Sequence, residues 1–328
     1  MSTTGNQIEP TRSMPVFPRL ALIDLGTNTF HLLIVEMPSA PGEKPRELLR
    51  TKAGVRLGEG GISKGEITPA AYTRALHTLA GFKEDIELHQ VTQIKATATS
   101  AMRVSRNGPD LVRDILEQTG IQVEVIGGIR EAELIAKGIR QAVPLGTRPH
   151  LLMDIGGGSV EFIIADADTI FWKQSFEIGA QRLLDQFFPD PSGVMPADAV
   201  QAEQEFLTQV LAPLSAAIAE FGPMALVGAS GSFDSLGDLQ GGHVRAESDL
   251  PPATLLHKPA FERSYQQLLT LDHAGRLALP GMFPMRADML VVASVLLDLV
   301  LKMSGITDIT ASAYALKEGL LSELLDVA

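Results

Sequence analysis

Hydrophobic positions along this chain follow two periods, one suited to strands and one to helices, and the two alternate. Residues 20–24 form a short apolar run and residues 30–36 a second, separated by Gly26-Thr27-Asn28, which predicts strand, tight polar turn, strand. Thr68 and Pro69 then supply a helix cap and a first-turn proline, and Tyr72, Leu76, Leu79, Phe82 and Ile86 recur at helical spacing. The pattern goes on to predict a strand at 94–99, a helix at 110–119 closed by Gly120, a strand at 121–126 and a helix at 131–143 ending at Pro144. The second half starts as the first did, with an apolar run at 151–154, a turn at Gly156-Gly157-Gly158 and a strand at 160–165. A long helix at 197–220, bent by Pro213, follows. A strand at 226–228 then enters the turn Ala229-Ser230-Gly231-Ser232, and helices near 259–271, 286–303 and 314–326 fill the remainder. Alternating elements of this kind predict an α/β protein.

The two halves align without a gap. Leu22-Ile23-Asp24-Leu25-Gly26-Thr27-Asn28-Thr29 lies over Leu152-Met153-Asp154-Ile155-Gly156-Gly157-Gly158-Ser159. In both copies an aspartate ends a buried strand, a glycine permits the turn and a hydroxyl residue opens the return strand; His31 in the first copy matches Glu161 in the second. Glycines let backbone N–H groups converge on an anion, and hydroxyls add donors. An aspartate beside them repels phosphate but holds a Mg²⁺ that bridges to it. One such hairpin alone is a common tight turn. Two copies facing each other would clamp one polyphosphate between two domains.

Length, composition and charge narrow the classes. The chain has 328 residues, which favours about two domains, and 45% hydrophobic with 20% charged residues is globular. There is no cysteine, which excludes disulfide scaffolds, thiol catalysis and zinc–thiolate sites. The net charge of −12 disfavours nucleic acid as a partner while leaving room for a local basic cleft. The N-terminal residues 1–18 read as a loose tail without a signal-peptide apolar stretch. The most apolar window, 289–301, is interrupted by Ser294 and Asp298 and is too short to span a bilayer, so no membrane partner and a cytoplasmic location are expected. The P-loop, H-E-x-x-H and G-x-S-x-G motifs are all absent.

The stretches ALIDLGTNTFHLLIVE, KATATSAMR, VIGGIREAELI, LLMDIGGGSVEFII, VGASGSFDSL and RADMLVVASVLL stand in the order found in the exopolyphosphatase/guanosine pentaphosphate phosphatase family, which the chain resembles over roughly residues 20–321. The resemblance implies two ribonuclease H-like domains of the actin-like ATPase superfamily, at 19–130 and 131–328, with the active site in the cleft between them and the last helix (314–328) packing back on the first domain. It implies hydrolysis of terminal phosphate from inorganic polyphosphate or from guanosine pentaphosphate, with Mg²⁺ as cofactor; a homodimer is left open. A sugar or acid kinase of the same superfamily and a non-catalytic sensor of polyphosphate are the competing readings. By position, Glu131 matches the family's catalytic base, and Asp154 and Glu161 its acidic pair linked to metal and water. Gly156, Gly157, Gly158 and Ser159 match its phosphate loop, Asp24, Gly26, Thr27, Asn28 and Thr29 the first loop, Arg103 a phosphate-contacting arginine, and Ser230, Gly231 and Ser232 a third glycine–hydroxyl turn. Without the resemblance, Glu131 would be read as an acidic residue favoured in a helix's first turn.

Three positions depart from the family pattern. Arg130 stands where a glutamate is usual; it would make the cleft less acidic, and a pair with Glu131 would lower that residue's basicity. Ala313 and Lys317 replace an aspartate and an arginine, and a lysine keeps charge without bidentate geometry. Lys52 and Arg56 are further candidates for the cleft wall or for a solvated face.

Overall fold

The computed structural model describes residues 18–38, 43–246 and 249–327. The expected tail, 1–18, lies outside the described residues apart from Pro18. The first half runs β1 (Arg19–Leu25), β2 (Phe30–Glu36), β3 (Arg46–Ala53), α1 (Pro69–Leu88), β4 (Gln93–Ala98), α2 (Ser100–Val104), α3 (Gly108–Thr119), β5 (Val123–Val125) and α4 (Gly128–Ala142). The second runs β6 (His150–Ile155), β7 (Val160–Ala165), β8 (Ile170–Phe176), α5 (Ala180–Phe187), α6 (Ala197–Val210), α7 (Ala212–Phe221), β9 (Leu226–Ala229) and α8 (Ser230–Gly241). It closes with β10 (Ala253–His257), α9 (Lys258–Thr270), α10 (His273–Leu277), α11 (Met289–Ser304), β11 (Asp308–Ser312) and α12 (Leu316–Val327).

The strands form two sheets of like topology, β3-β2-β1-β4-β5 and β10-β11-β9-β6-β7-β8. Each opens with an antiparallel three-strand meander, β1-β2-β3 or β6-β7-β8, and adds parallel strands on the far side of its first strand, β4 and β5 or β9 and β11. This is the ribonuclease H-like order twice over. The duplication extends to register, since Asp24 faces His31 across the first hairpin and Asp154 faces Glu161 across the second. β1, β6 and β7 read as nearly continuous apolar runs because both of their faces are covered.

The outer face of each sheet packs on its own helices, α1 to α3 on the first and α5 to α9 with α11 on the second. The inner faces share a third core, in which Leu22 and Leu33 of the first sheet and Leu152 and Ile163 of the second close on Ile135 and Ile139 of α4 and Leu316 of α12. α4 and α12 cross so closely that a Cβ at Gly138 would meet the Ala315 carbonyl, and one at Gly319 the Leu134 carbonyl. Only glycine permits that approach. Of the two roles open to Arg130, the pair with Glu131 is not made. Arg130 instead bonds to Glu323 on α12, with Glu133 3.7 Å away, so its charge ties the two helices together outside the cleft.

The long helix expected at 197–220 is two helices broken at Leu211, just ahead of Pro213. The expected turn at Ala229–Ser232 is the end of a strand followed directly by the first turn of α8. β3, β8, β10 and β11 carried no clear signal. β3 and β10 are half-exposed edge strands, β8 is the opposite edge, and β11 has five residues.

Candidate active site

The two hairpin loops meet across the cleft. The Asn28 side chain occupies the space a side chain at Gly157 would need, and Thr27 and Ser100 occupy that of Gly158. Each loop is held from behind by its carbonyls. In the first, the Thr27 and Asn28 carbonyls accept from the N–H groups of Gly58 (3.0 Å) and Arg56 (2.8 Å), and Arg56 adopts a left-handed φ of 50° there. In the second, the Gly156, Gly157 and Gly158 carbonyls accept from Ala180 (2.9 Å), Gln181 (2.9 Å) and Gly179 (3.1 Å), at the start of α5. Carbonyls bonded on the outer side leave a loop's amides for an anion.

Between the loops lies a cavity of about 300 Å³. Every site residue expected from the sequence lies on its wall except Arg103 and Ser232. Ser232 is buried inside α8. Arg103 bonds instead to carboxylates, Glu131 (2.9 Å) and Glu177 (2.9 Å). Ser230, at a left-handed φ of 70°, hydrogen-bonds the Asp154 carboxylate, and Ser159 and Ser175 bond that of Glu161. A serine in that backbone region is strained, and the strain turns its hydroxyl onto Asp154. The buried oxygens Asn28 Oδ1 and Thr29 Oγ1 make no hydrogen bond among the described residues. Unsatisfied buried oxygens on a cavity wall are costly unless a ligand completes them.

Among the carboxyl groups lining this cavity are Asp24, Glu131, Asp154 and Glu161, and burial raises the pKa of each. Burial pushes Glu131 up to about 8, against the pull of Arg103 and with Asp154 and Asp24 adding to the rise. Asp24 is pushed up to about 7; Lys317 opposes the shift, while Asp154 and Glu318 add to it. Asp154 reaches only about 6, because Ser230, Arg286 and Lys317 favour its ionised form. Glu161 rises well above the usual carboxylate range by burial, with Glu131 and Asp154 beside it.

The counter-charges were not legible as a group. Lys52, Arg245, Arg286 and Lys317 all reach the cavity, from β3, the segment after α8, the turn before α11 and the start of α12. Arg286 lies so close over Gly231 that a Cβ there would meet its guanidinium. Arg56 is absent from the cavity wall and pairs with Glu59 at 3.4 Å. Asp234 of α8 adds a further carboxylate, pushed up to about 6 by burial against Lys317, Lys52 and Arg286.

The donor set suits a hard divalent cation. It consists of carboxylate and hydroxyl oxygens, and among the described residues no three acidic or histidine side chains form a ligand cage by themselves. Mg²⁺ is commonly held by one or two carboxylates, waters and the substrate's own phosphates, so an incomplete protein cage fits it. Asp154, more easily ionised than Asp24, Glu131 or Glu161, fits best as the direct ligand. Glu161 is already engaged by Ser159 and Ser175.

The Ppx/GppA phosphatase family matches residues 38–328 of this chain. An exopolyphosphatase 1 from Mycobacterium leprae is 28% identical over 315 residues, which cover 94% of this chain and 90% of that protein. The crystal structure of an exopolyphosphatase from Cytophaga hutchinsonii is 44% identical, superimposes with a TM-score of 0.88 and covers 94% of this chain and 98% of its own. A Ppx/GppA enzyme from Aquifex aeolicus, at 20% identity and a TM-score of 0.75 over 93% of this chain and 99% of its own, shares the fold.

Proposed function

The chain belongs to the Ppx/GppA phosphatase family, and from that premise we propose that it is an exopolyphosphatase, hydrolysing the terminal phosphoanhydride of inorganic polyphosphate with Mg²⁺ as cofactor. The observation that carries the reading is Glu131, a buried carboxyl group on the wall of a cavity bounded by two phosphate loops, with its pKa raised to about 8. An ordinary glutamate is too weak a base to activate water near neutral pH, and one raised this far is well matched.

In this reading the terminal phosphoryl group sits between the loops, taking hydrogen bonds from the amides of 157–159 and from the Thr29 hydroxyl. Lys317 and Arg286 face the cavity and offset charge on the non-bridging oxygens. Glu131 holds a water and takes its proton as the oxygen attacks phosphorus. The bridging P–O bond breaks, and orthophosphate leaves along with a chain one phosphate shorter. Asp154 would hold the Mg²⁺, with Glu161 ordering water beside it; the cation supplies charge neutralisation across the phosphoryl oxygens when bound. The Asn28–Gly157 contact keeps the loops together and excludes bulk water.

A second reading, hydrolysis of the 5′ terminal phosphate of guanosine pentaphosphate, draws on the apolar residues Val244, Leu250, Phe283 and Met285 of the cavity lining, whose side chains suit a nucleobase. Among the described residues no helix is long and apolar enough to cross a membrane, and we take the enzyme to act in the cytoplasm. Phosphate release from polyphosphate and from guanosine pentaphosphate, each with and without Mg²⁺, tests these readings. Release from polyphosphate only with Mg²⁺ is expected; release from neither substrate would overturn the proposal.

A further inference from the structure

Glu177 is not among the residues lining the cavity; it stands in the short link between β8 and α5 and bonds side chains of both halves of the molecule. Its Oε2 accepts from the Ser100 hydroxyl at 2.6 Å and from Arg182 at 3.1 Å, and its Oε1 accepts from Arg103 at 2.9 Å. Ser100 and Arg103 both belong to α2 of the first domain. The link that carries Glu177 belongs to the second domain and is fixed to its phosphate loop, because the Gly179 N–H bonds the Gly158 carbonyl. Arg182 reinforces the seam, donating to the Gly158 carbonyl (2.9 Å) and, across the cleft, to the Ile62 carbonyl (3.2 Å).

The other half of the Arg103 guanidinium holds Glu131. One terminal nitrogen donates to Glu131 Oε2 (2.9 Å) and to the Ile126 carbonyl (3.1 Å), while the other donates to Glu177. A planar fork fixed on one side is oriented on the other. The chain of contacts therefore runs from the second phosphate loop through Glu177 and Arg103 to the base.

We propose that Glu177 is a positioning residue: with the two domains closed on each other, it locks the Arg103 fork and so sets the orientation of the Glu131 carboxylate toward the attacking water. This rests on Glu131 being the base of the proposed hydrolysis. The Glu177 side chain is 40% exposed, and ion pairs that open to solvent add little to stability. Its worth lies in geometry. A small misplacement of a base costs a large factor in rate while leaving the substrate's grip on the loops unchanged.

The test compares wild type with Glu177→Ala and Glu177→Gln. Glutamine keeps an acceptor for Arg103 or Ser100 and loses only the charge. Glu177→Ala is expected to lower kcat for polyphosphate about tenfold or more, with KM changed less than about threefold and the melting temperature nearly unchanged. Glu177→Gln is expected to recover most of the lost kcat. A Glu177→Ala enzyme with wild-type kcat, or one whose loss lies in KM or in a large drop of melting temperature, would overturn the role. A second readout needs no substrate. In ¹⁵N NMR the Arg103 Nε–H should be ordered in wild type, mobile in Glu177→Ala and ordered again in Glu177→Gln; an equally ordered Arg103 in all three would overturn the proposal. Wild-type turnover alone decides the substrate reading, so the two ideas fail separately.

Discussion

The two hairpin loops repeat one frame, and in the proposed mechanism they do different work. In the first, Thr27, Asn28 and Thr29 carry side chains, and two of those side chains occupy the space above the second loop. In the second, Gly157 and Gly158 carry none, and so the loops can touch. The aspartates diverge as well. Asp154 is bonded by Ser230 and faces Arg286 and Lys317, which holds it near 6. Asp24 has Lys317 and is surrounded by other acids, which leaves it near 7. Duplication thus supplied one frame twice, and the partners at its edge set the copies apart: in the proposed mechanism the second copy binds the cation, while the first fills space and donates hydrogen bonds.

The largest effect expected from that division is at Asp154. Asp154→Asn should lower kcat/KM by about 10³-fold at low Mg²⁺, with partial recovery as Mg²⁺ is raised, while Asp24→Asn should cost only about tenfold. Phosphate release across a Mg²⁺ titration of both variants measures the difference; equal losses would mean that the copies share the metal evenly. Next comes the loop contact. Gly157→Ala should cost about 10²-fold, since the added methyl displaces Asn28. Asn28→Ala should cost a few-fold, and the double variant should recover part of the glycine loss. A double-mutant cycle reads the coupling, and strict additivity would show that the two loops do not press on each other.

The loops were legible in the sequence because a glycine–hydroxyl turn between two apolar runs is a local pattern. Glu131 was legible only through the resemblance, since an acidic residue in a helix's first turn has an ordinary explanation. Arg286 and Glu177 come from a short turn and from the link between β8 and α5, and nothing local marks them; Lys52, on a half-exposed edge strand, could be read equally as cleft wall or solvated face. Sequence could not show that Arg103 grips two carboxylates, or that Arg130 turns to α12, because both depend on how the domains close. Edge strands such as β3 and β8 escaped for a related reason. They bury too little for alternation to be visible.

A smaller effect sharpens the comparison of the aspartates. A carboxyl group whose pKa is raised on folding, from 3.8 to about 7 for Asp24, gives stability that is present below its unfolded pKa and lost as pH rises through the folded value. The metal-free protein should therefore become less stable between about pH 4 and pH 7. Asp24→Asn removes the Asp24 share of this dependence and should raise the melting temperature by a few degrees at about pH 8 and hardly at all at about pH 4. Thermal unfolding in chelator at both pH values checks the sign, and a variant less stable than wild type at the higher pH would contradict it.

The central claim is that Glu131 takes the proton from the attacking water, and kcat of Glu131→Gln on polyphosphate tests it most directly. An amide keeps the shape and the hydrogen bond from Arg103 but is not a base near neutral pH, and it removes a negative charge facing the polyanion. The account predicts a fall in kcat of about 10²-fold or more, with KM unchanged or lower. A Glu131→Gln enzyme that keeps near-wild-type kcat would contradict it and pass the base role to Glu161.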